Sequence, residues 1–334
     1  MMIPDFDRVR LLVSAALGAC LLAGCASAPG GSRAYSFGMM GDTQYSSYEE
    51  RHFPAMIDAV NREDLKFVVH VGDFKAGSNS PCTDQLFLKR REEFNRSRHP
   101  FVYTPGDNDW TDCRRPTNGK GDPLERLEKL RELFYSEPRS IGQNPMPVTR
   151  ESDVFRDDKA LSRYRENLMW SVGGVVYLTV NIQGSNDNRG FDARNDAEHA
   201  DRTRANIEWV KTAIARANAE RAVGIVLFQQ ANPGFEEPLA TAPNNGYAEF
   251  LTAFEREARA WGKPMLFAHG DTHTFRIDRP YKSPIDKRDV PNVTRVETYG
   301  SPFVNWLRIT VDPDNPANPF TIRSGGFVPD PQPD

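Results

Sequence analysis

The chain has 334 residues, enough for one large domain or two of ordinary size. Charged residues make up 26% and hydrophobic ones 39%, the balance of a folded globular protein rather than a disordered or membrane-embedded one. Formal net charge is -4 with no stripe of Lys and Arg, which argues against nucleic acid as the main partner, because a phosphate backbone needs a concentrated basic face.

The first element is a processing signal. Arg8 and Arg10 precede the apolar run LLVSAALGACLLAG, too short to span a membrane and fitted to a secretory h-region. The run ends in Leu22-Ala23-Gly24-Cys25, which resembles a bacterial lipobox. That resemblance implies a signal peptide over residues 1–24 and a mature chain whose first residue, Cys25, carries the lipid. The protein would then be a lipoprotein of the bacterial cell envelope, facing the periplasm or the outer surface and held to the membrane by its acyl chains. An ordinary signal peptide with an incidental cysteine is the plainer alternative. Residues 25–33 read as a flexible tether.

From there strands and helices alternate. YSFGMMGD reads as a buried strand and SYEERHFPAMIDAVNRED as a helix; LKFVVHVGD is a strand, DQLFLKRREEFNRSR a helix, and PFVYTPGD a third strand. PLERLEKLRELFYS is an amphipathic helix, and residues 139–165 are a polar surface excursion. MWSVGGVVYLTVNIQGSND supplies two strands joined at Gly-Gly, followed by a polar loop to about His199 and the helix RTRANIEWVKTAIARANAE. AVGIVLFQQANP is a strand, NGYAEFLTAFEREARAWG a helix and KPMLFAHGD a strand; the tail from NVTRVETYG to PFTIRSGGF reads as antiparallel strands. With no linker between the halves, residues 34–326 form a single α/β domain built on two sheets, and 327–334 a polar tail.

Cys20 leaves with the signal and Cys25 carries the lipid, so Cys82 and Cys113 remain as an even pair in an oxidising compartment. Two lone cysteines lack the CxxC spacing of zinc sites, and a disulfide is the better reading.

The polar residues at the strand ends carry the chemistry. They are Asp42-Thr43-Gln44, Asp73, Asp107-Asn108-Asp109, Gln229-Gln230 and Asp271-Thr272-His273. Each follows an apolar strand, so an α/β sheet brings them to one edge. Buried carboxylates placed together repel unless neutralised, and a divalent cation, or two, supplies the neutralising charge. Glycine before the Asp lets the backbone turn sharply. Any one clause could be a helix cap or a turn; five in this order point to a site.

That order resembles the calcineurin-like metallophosphoesterases, whose motifs run D-x-H, GD, GNHD, a lone His and GHxH, and the resemblance covers nearly all of the mature chain. It implies a four-layer αββα sandwich with two mixed sheets, a two-metal centre, and a metal-bridging hydroxide that attacks the phosphorus of a small phosphate ester: a phosphomonoester, a phosphodiester or a pyrophosphate. Carried over by position, Asp42 matches the first Asp and Gln44 stands where its His is expected. Asp73 matches the metal-bridging Asp, and Asp107, Asn108 and Asp109 fall on the Asn, His and Asp of GNHD. Gln230, with Gln229 as runner-up, matches the lone His; Asp271 replaces the first His of GHxH and His273 matches the second. The implied ligands are thus Asp42, Gln44, Asp73 and His273 at one metal, and Asp73, Asp107, Gln230 and Asp271 at the other. Lost nitrogens have become oxygens, which favours Mn²⁺, Mg²⁺ or Ca²⁺ over Zn²⁺. Asn108, in the catalytic position, can hydrogen-bond a phosphoryl oxygen but cannot protonate a leaving group at neutral pH. A catalytically impaired ligand-binding lipoprotein of the same fold is the competing reading. His70 and His269, within apolar strands, read as packed core residues.

Overall fold

The structure, a computed structural model, describes residues 33–235, 244–282 and 288–328. Cys25, with the signal and tether up to residue 32, lies outside the described residues, as does the tail from residue 329. Among the described residues no helix is long and apolar enough to cross a membrane.

The first part of the chain alternates β1 (Tyr35–Met40), α1 (Ser47–Val60), β2 (Val68–His70), α2 (Asp84–Phe94), β3 (Phe101–Tyr103) and α3 (Pro123–Phe134). Their boundaries follow from local chemistry. Ser46, Thr83 and Asp122 cap the three helices by accepting from the backbone N–H of Glu49, Leu86 and Leu124. In α1 the buried stripe Phe53, Met56, Ile57 and Val60 has the spacing of one helical face. Then come β4 (Thr149–Arg150), a single turn α4 (Glu151–Val154), β5 (Leu168–Val172) and β6 (Val175–Thr179). A short turn α5 (Gly184–Asp187), α6 (Ala193–Ala219), β7 (Gly224–Phe228), α7 (Ala248–Trp261) and β8 (Met265–His269) follow. β9 (Arg276–Asp278), β10 (Val293–Glu297), β11 (Leu307–Val311) and β12 (Phe320–Ser324) close the chain.

One sheet has the order β12-β11-β1-β2-β3, the other β4-β5-β6-β7-β8-β10-β9. β1, β2 and β3 are mutually parallel, as are β6, β7, β8 and β10, and antiparallel strands flank each set, so both sheets are mixed. They pack face to face through aromatic rings: Phe37 lies 5.5 Å from Tyr177 and 5.9 Å from Phe228, and Phe67 lies 5.3 Å from Trp170. Along β6 and β7, residues alternate between this inner core and a second one, in which Val176, Leu178, Ile225 and Leu227 meet Trp209, Ala213, Leu251 and Phe254 of α6 and α7. Phe53, Phe87, Phe94 and Leu130 of α1, α2 and α3 join the core of the first sheet. The result is the four-layer αββα arrangement, in which each large apolar side chain buried contributes roughly 1.5–3 kcal/mol.

Two expectations are corrected. The polar segment read as a loop to His199 is the start of α6: Asp192 caps it by accepting from the Asn195 N–H at 2.8 Å, and buried polar contacts of Asn195 and His199 stand in for an apolar stripe. The tail is not uniformly antiparallel either. β10 runs parallel to β8 in the second sheet, and only β11 and β12 turn back into the first.

Candidate metal centre

Because β1, β2 and β3 run together and β7 and β8 run together, their C-terminal ends release five polar clauses at one edge of the two packed sheets. Hydrogen bonds tie the two sets across the gap. The Asp271 N–H donates to Asp42 Oδ1 at 2.8 Å, and Gln230 Nε2 donates to Asp73 Oδ2 at 3.1 Å and to Asp271 Oδ1 at 3.4 Å. Asp42, Gln44, Asp73, Asp107, Asn108 and Gln230 are all buried, and Asp271 is half-buried.

The backbone here is strained where the side chains matter. Asp42, Gln44, Asp73, Asp271 and His273 have φ of 50°, 68°, 58°, 83° and 61°. A residue with a Cβ meets a cost of about 1–2 kcal/mol in that left-handed region, and it persists when the surroundings over-determine it, as they do at functional sites. The glycines of the clauses divide by role. Gly72 turns the chain with φ 98°, as the sequence suggests, whereas at Gly106 and Gly270 the requirement is room: a Cβ would collide with Asp73 Oδ1 at the first and with Asp42 Oδ2 at the second.

Asp109 is a strut rather than a member of the carboxylate set. Its side chain accepts from the N–H groups of Asp73, Phe74 and Gly106 at 2.9, 3.0 and 2.9 Å and from the Tyr103 hydroxyl at 2.7 Å, joining the loop after β2 to the loop after β3. Asn108 lies beside it. Its N–H donates to Asp73 Oδ1 at 3.0 Å, and its side-chain amide donates to the Tyr45 hydroxyl at 2.9 Å and to the Lys75 carbonyl at 3.0 Å. The Cys82–Cys113 disulfide predicted from the sequence is present, and Cys82 Sγ lies 3.8 Å from the Asn108 carbonyl oxygen.

His273 is anchored through one ring nitrogen. Its Nδ1 donates to the Ser301 carbonyl at 2.9 Å, which leaves the Nε2 lone pair facing Asp42, 3.9 Å from Oδ1. Gln44 donates through Nε2 to Glu93 Oε2 at 2.9 Å, while its Oε1 is buried with no hydrogen-bond partner. Of the two glutamines after β7, Gln230 faces the carboxylates; Gln229 turns back to the Ala231 carbonyl at 2.9 Å. His70 and His269 are wholly buried core residues, and burial brings both down to about 3. Trp110 is likewise buried, under the Arg202 guanidinium.

Three participants are absent from the sequence reading. The Tyr45 hydroxyl donates to Asp73 Oδ2 at 3.0 Å, from a position with no strand-end signal. The Lys75 ammonium is buried under the loop and donates to the Ala76 and Asn108 carbonyls at 2.8 and 2.9 Å. Ser185, in the polar loop after β6, donates to Asp107 Oδ2 at 2.8 Å and lies 2.7 Å from Asp112 Oδ1. Ser185, Asn186, Asp187 and Asn188 are all left-handed, with φ of 50°, 56°, 54° and 66°. Arg202 holds that turn from beneath, donating to Asp187 Oδ1 at 2.6 Å and to the Asp187 carbonyl at 2.9 Å.

Electrostatically the edge is an acidic cluster with the Lys75 ammonium and the Arg115 guanidinium as its positive neighbours. Burial, then repulsion from Asp107 and the other aspartates, holds Asp73 well above the ordinary carboxylate range. Asp42 is also held well above it by burial, with Asp271, Glu297 and Asp107 adding repulsion. Asp107 and Asp271 are pushed up to about 6, burial again being the main cause. Among the described residues no three His, Cys, Asp or Glu side chains are gathered tightly enough to hold an ion as they stand. The donor chemistry nonetheless suits a hard cation on the Asp42 side, where Asp42 Oδ2 and Gln44 Oε1 are buried without partners and His273 Nε2 is free to ligate. It suits one less well on the Asp271 side, where the amide N–H groups of Gln230 already point at the carboxylates.

No known family profile and no curated protein matches the sequence. Solved structures do match in shape. One is the structure of PhoD, at 13% identity and TM-score 0.53, covering 84% of this chain and 64% of that one, so the chain spans less than two thirds of that relative's length. Another is a dimetal phosphatase from Danio rerio, at 10% identity and TM-score 0.50, covering 83% of this chain and 95% of that one. The two mixed sheets, their flanking helices and the likeness to these structures agree, and the chain has the fold of the calcineurin-like metallophosphoesterases.

Proposed function

We propose that the protein is a divalent-cation-dependent phosphoesterase, acting on a small phosphate ester at the edge where Asp42, Asp73, Asp107 and Asp271 meet. The observation that carries this reading is the crowding of those acidic groups on strained backbone, with the buried Asp42 Oδ2 left without a donor. Such an arrangement is unfavourable by itself and favourable around a cation. The dimetal phosphatase that shares the fold adds support.

When bound, a divalent cation supplies charge neutralisation and Lewis acidity toward water and a phosphoryl oxygen. Mn²⁺, Mg²⁺ or Ca²⁺ suits the oxygen-rich donors better than Zn²⁺. The chain's own residues position and polarise. Asp109 fixes the two loops in register, and Tyr45 holds Asp73 and Asn108 together through its hydroxyl. Asn108 spends its side-chain N–H groups on the Tyr45 hydroxyl and the Lys75 carbonyl and cannot hand a proton to a departing alcohol, a loss that typically costs about a hundredfold or more for basic leaving groups. Aryl and phosphate leaving groups are therefore favoured over alkyl ones. The second reading, a binding protein that no longer turns over substrate, is favoured by the same amide in the place of an imidazole.

The deciding experiment is a screen of aryl phosphate, alkyl phosphate, bis-aryl phosphate and pyrophosphate with chelated protein before and after Mn²⁺ is restored. Hydrolysis that appears with Mn²⁺ supports the enzyme; phosphate binding without turnover supports the second reading. Hydrolysis that persists fully in chelator overturns the cation-dependent mechanism. We further propose that the mature chain begins at a lipid-bearing Cys25 and acts at the bacterial envelope; a Cys25→Ser chain that stays membrane-bound and is cut at the same site would refute that.

A further inference from the structure

We infer that this centre takes one divalent cation, at the Asp42–Gln44–His273 side, and that the Gln230 amide stands in for a second. The inference rests on the cation-dependent reading above but concerns which lone pairs remain open.

On the Asp271 side the carboxylate oxygens face protein donors. Asp73 Oδ1 accepts from the Asn108 N–H at 3.0 Å, and Asp73 Oδ2 accepts from the Tyr45 hydroxyl at 3.0 Å and from Gln230 Nε2 at 3.1 Å. Asp271 Oδ1 accepts from Gln230 Nε2 at 3.4 Å, and its Oδ2 from the Asn232 N–H at 2.8 Å. All four oxygens of these two carboxylates have donors. Asp107 Oδ2 has the Ser185 hydroxyl at 2.8 Å.

The orientation of the amide is fixed by its other end. Gln230 Oε1 accepts from the Gly184 N–H at 2.6 Å, and the side chain is wholly buried. A flipped amide would aim its oxygen at two carboxylates and face its N–H groups toward the Gly184 N–H, which is doubly unfavourable. Two N–H bonds therefore point into the space between Asp73 and Asp271. A cation there would meet the positive ends of those bonds and would have to strip hydrogen bonds from both carboxylates.

On the Asp42 side the lone pairs are open. Asp42 Oδ2 and Gln44 Oε1 are buried and unpartnered, and His273 presents Nε2 because its Nδ1 is spent on Ser301. The contrast lies within one cluster, and the element that makes it is a single amide.

The test uses the full chain, chelated and then titrated with Mn²⁺, read by calorimetric stoichiometry and by electron paramagnetic resonance. The expected result is one Mn²⁺ per chain with the six-line spectrum of an isolated ion. Gln230→Glu keeps an oxygen for the Gly184 N–H but replaces the donor with a carboxylate; it should take two Mn²⁺ and give the broadened, exchange-coupled spectrum of a close pair. Two coupled ions in the unaltered chain would overturn the inference while leaving the phosphoesterase reading standing. No binding at all would overturn both. A well-folded Gln230→Glu chain that still takes a single ion would refute the role given to the amide. Should that variant not fold, the stoichiometry and spectrum of the unaltered chain decide alone.

Discussion

Removing the disulfide is the perturbation whose size can be worked out most directly. Cys82 and Cys113 are 31 residues apart, with Cα atoms at 5.6 Å. In the chain-entropy treatment, opening a loop of that length restores about 12 cal/mol/K to the unfolded chain, or about 3.7 kcal/mol at 25 °C. At an unfolding entropy of about 2.1 cal/mol/K per residue over roughly 300 folded residues, that corresponds to a fall in Tm of about 6 °C. Cys82→Ala with Cys113→Ala is the suitable pair of changes, since Cys113 is fully buried and alanine places no new polar group there. Thermal melts of the chelated protein, followed by circular dichroism, supply the measurement. The same variant should bind Mn²⁺ more weakly, because Cys82 and Cys113 lie against the carbonyls of Asn108 and Asp109 in the loop that carries Asp107. A fall of less than about 1 °C would refute the reasoning, since the unfolded chain would then gain almost no freedom when the cross-link is removed.

Asp107 is held near 6 by burial and by Asp271, so the folded chain keeps its proton at a pH where the unfolded chain has released it. That raised value makes the group's contribution turn unfavourable as pH rises from about 4 to 7; in chelator the stability of Asp107→Asn relative to the unaltered chain should climb across that window, and urea melts showing a flat difference would contradict it. Arg202→Met should destabilise by about 3–5 kcal/mol, because it strands the buried Asp187 carboxylate under the left-handed turn; a urea midpoint unchanged from the parent would show the turn to be held otherwise. Gly77→Ala should displace the Asn108 side chain, into whose oxygen a Cβ at 77 would run, and should weaken Mn²⁺ binding through the Asn108 N–H to Asp73. Equal affinity in that variant would argue against the Asn108–Asp73 link.

The sequence discloses what is periodic and what is punctuated. Apolar runs ending in Gly-Asp mark the strands and their functional ends, because a parallel sheet buries its strands on both faces and leaves chemistry to the loops. That logic places Asp42, Asp73, Asp107 and Asp271 together, as the structure does. It fails where polar residues are buried for local reasons. The start of α6 looks like a loop because its inward face is made of Asn195, His199 and Arg202 rather than aliphatics. Tyr45 and Lys75 carry no spacing signal at all, since their place at the site depends on how the loops fold back. Nor could the direction of the Gln230 amide be read from residue type: glutamine is both donor and acceptor, and only Gly184 decides which end faces the acids.

The pairing of β1 with β11 also bears on how the chain comes to be folded. Among the described residues β1 is the first strand, and its partner on one side, β11, is the last but one. During synthesis one edge of β1 therefore stays open until β11 emerges, its backbone groups on that side without their partners. The first sheet cannot close before Leu307–Val311 is available, so its assembly waits on a segment distant in sequence rather than proceeding strand by strand. A product truncated ahead of Leu307 would carry a bare, apolar strand edge, the kind of template on which stalled chains pair with one another and aggregate.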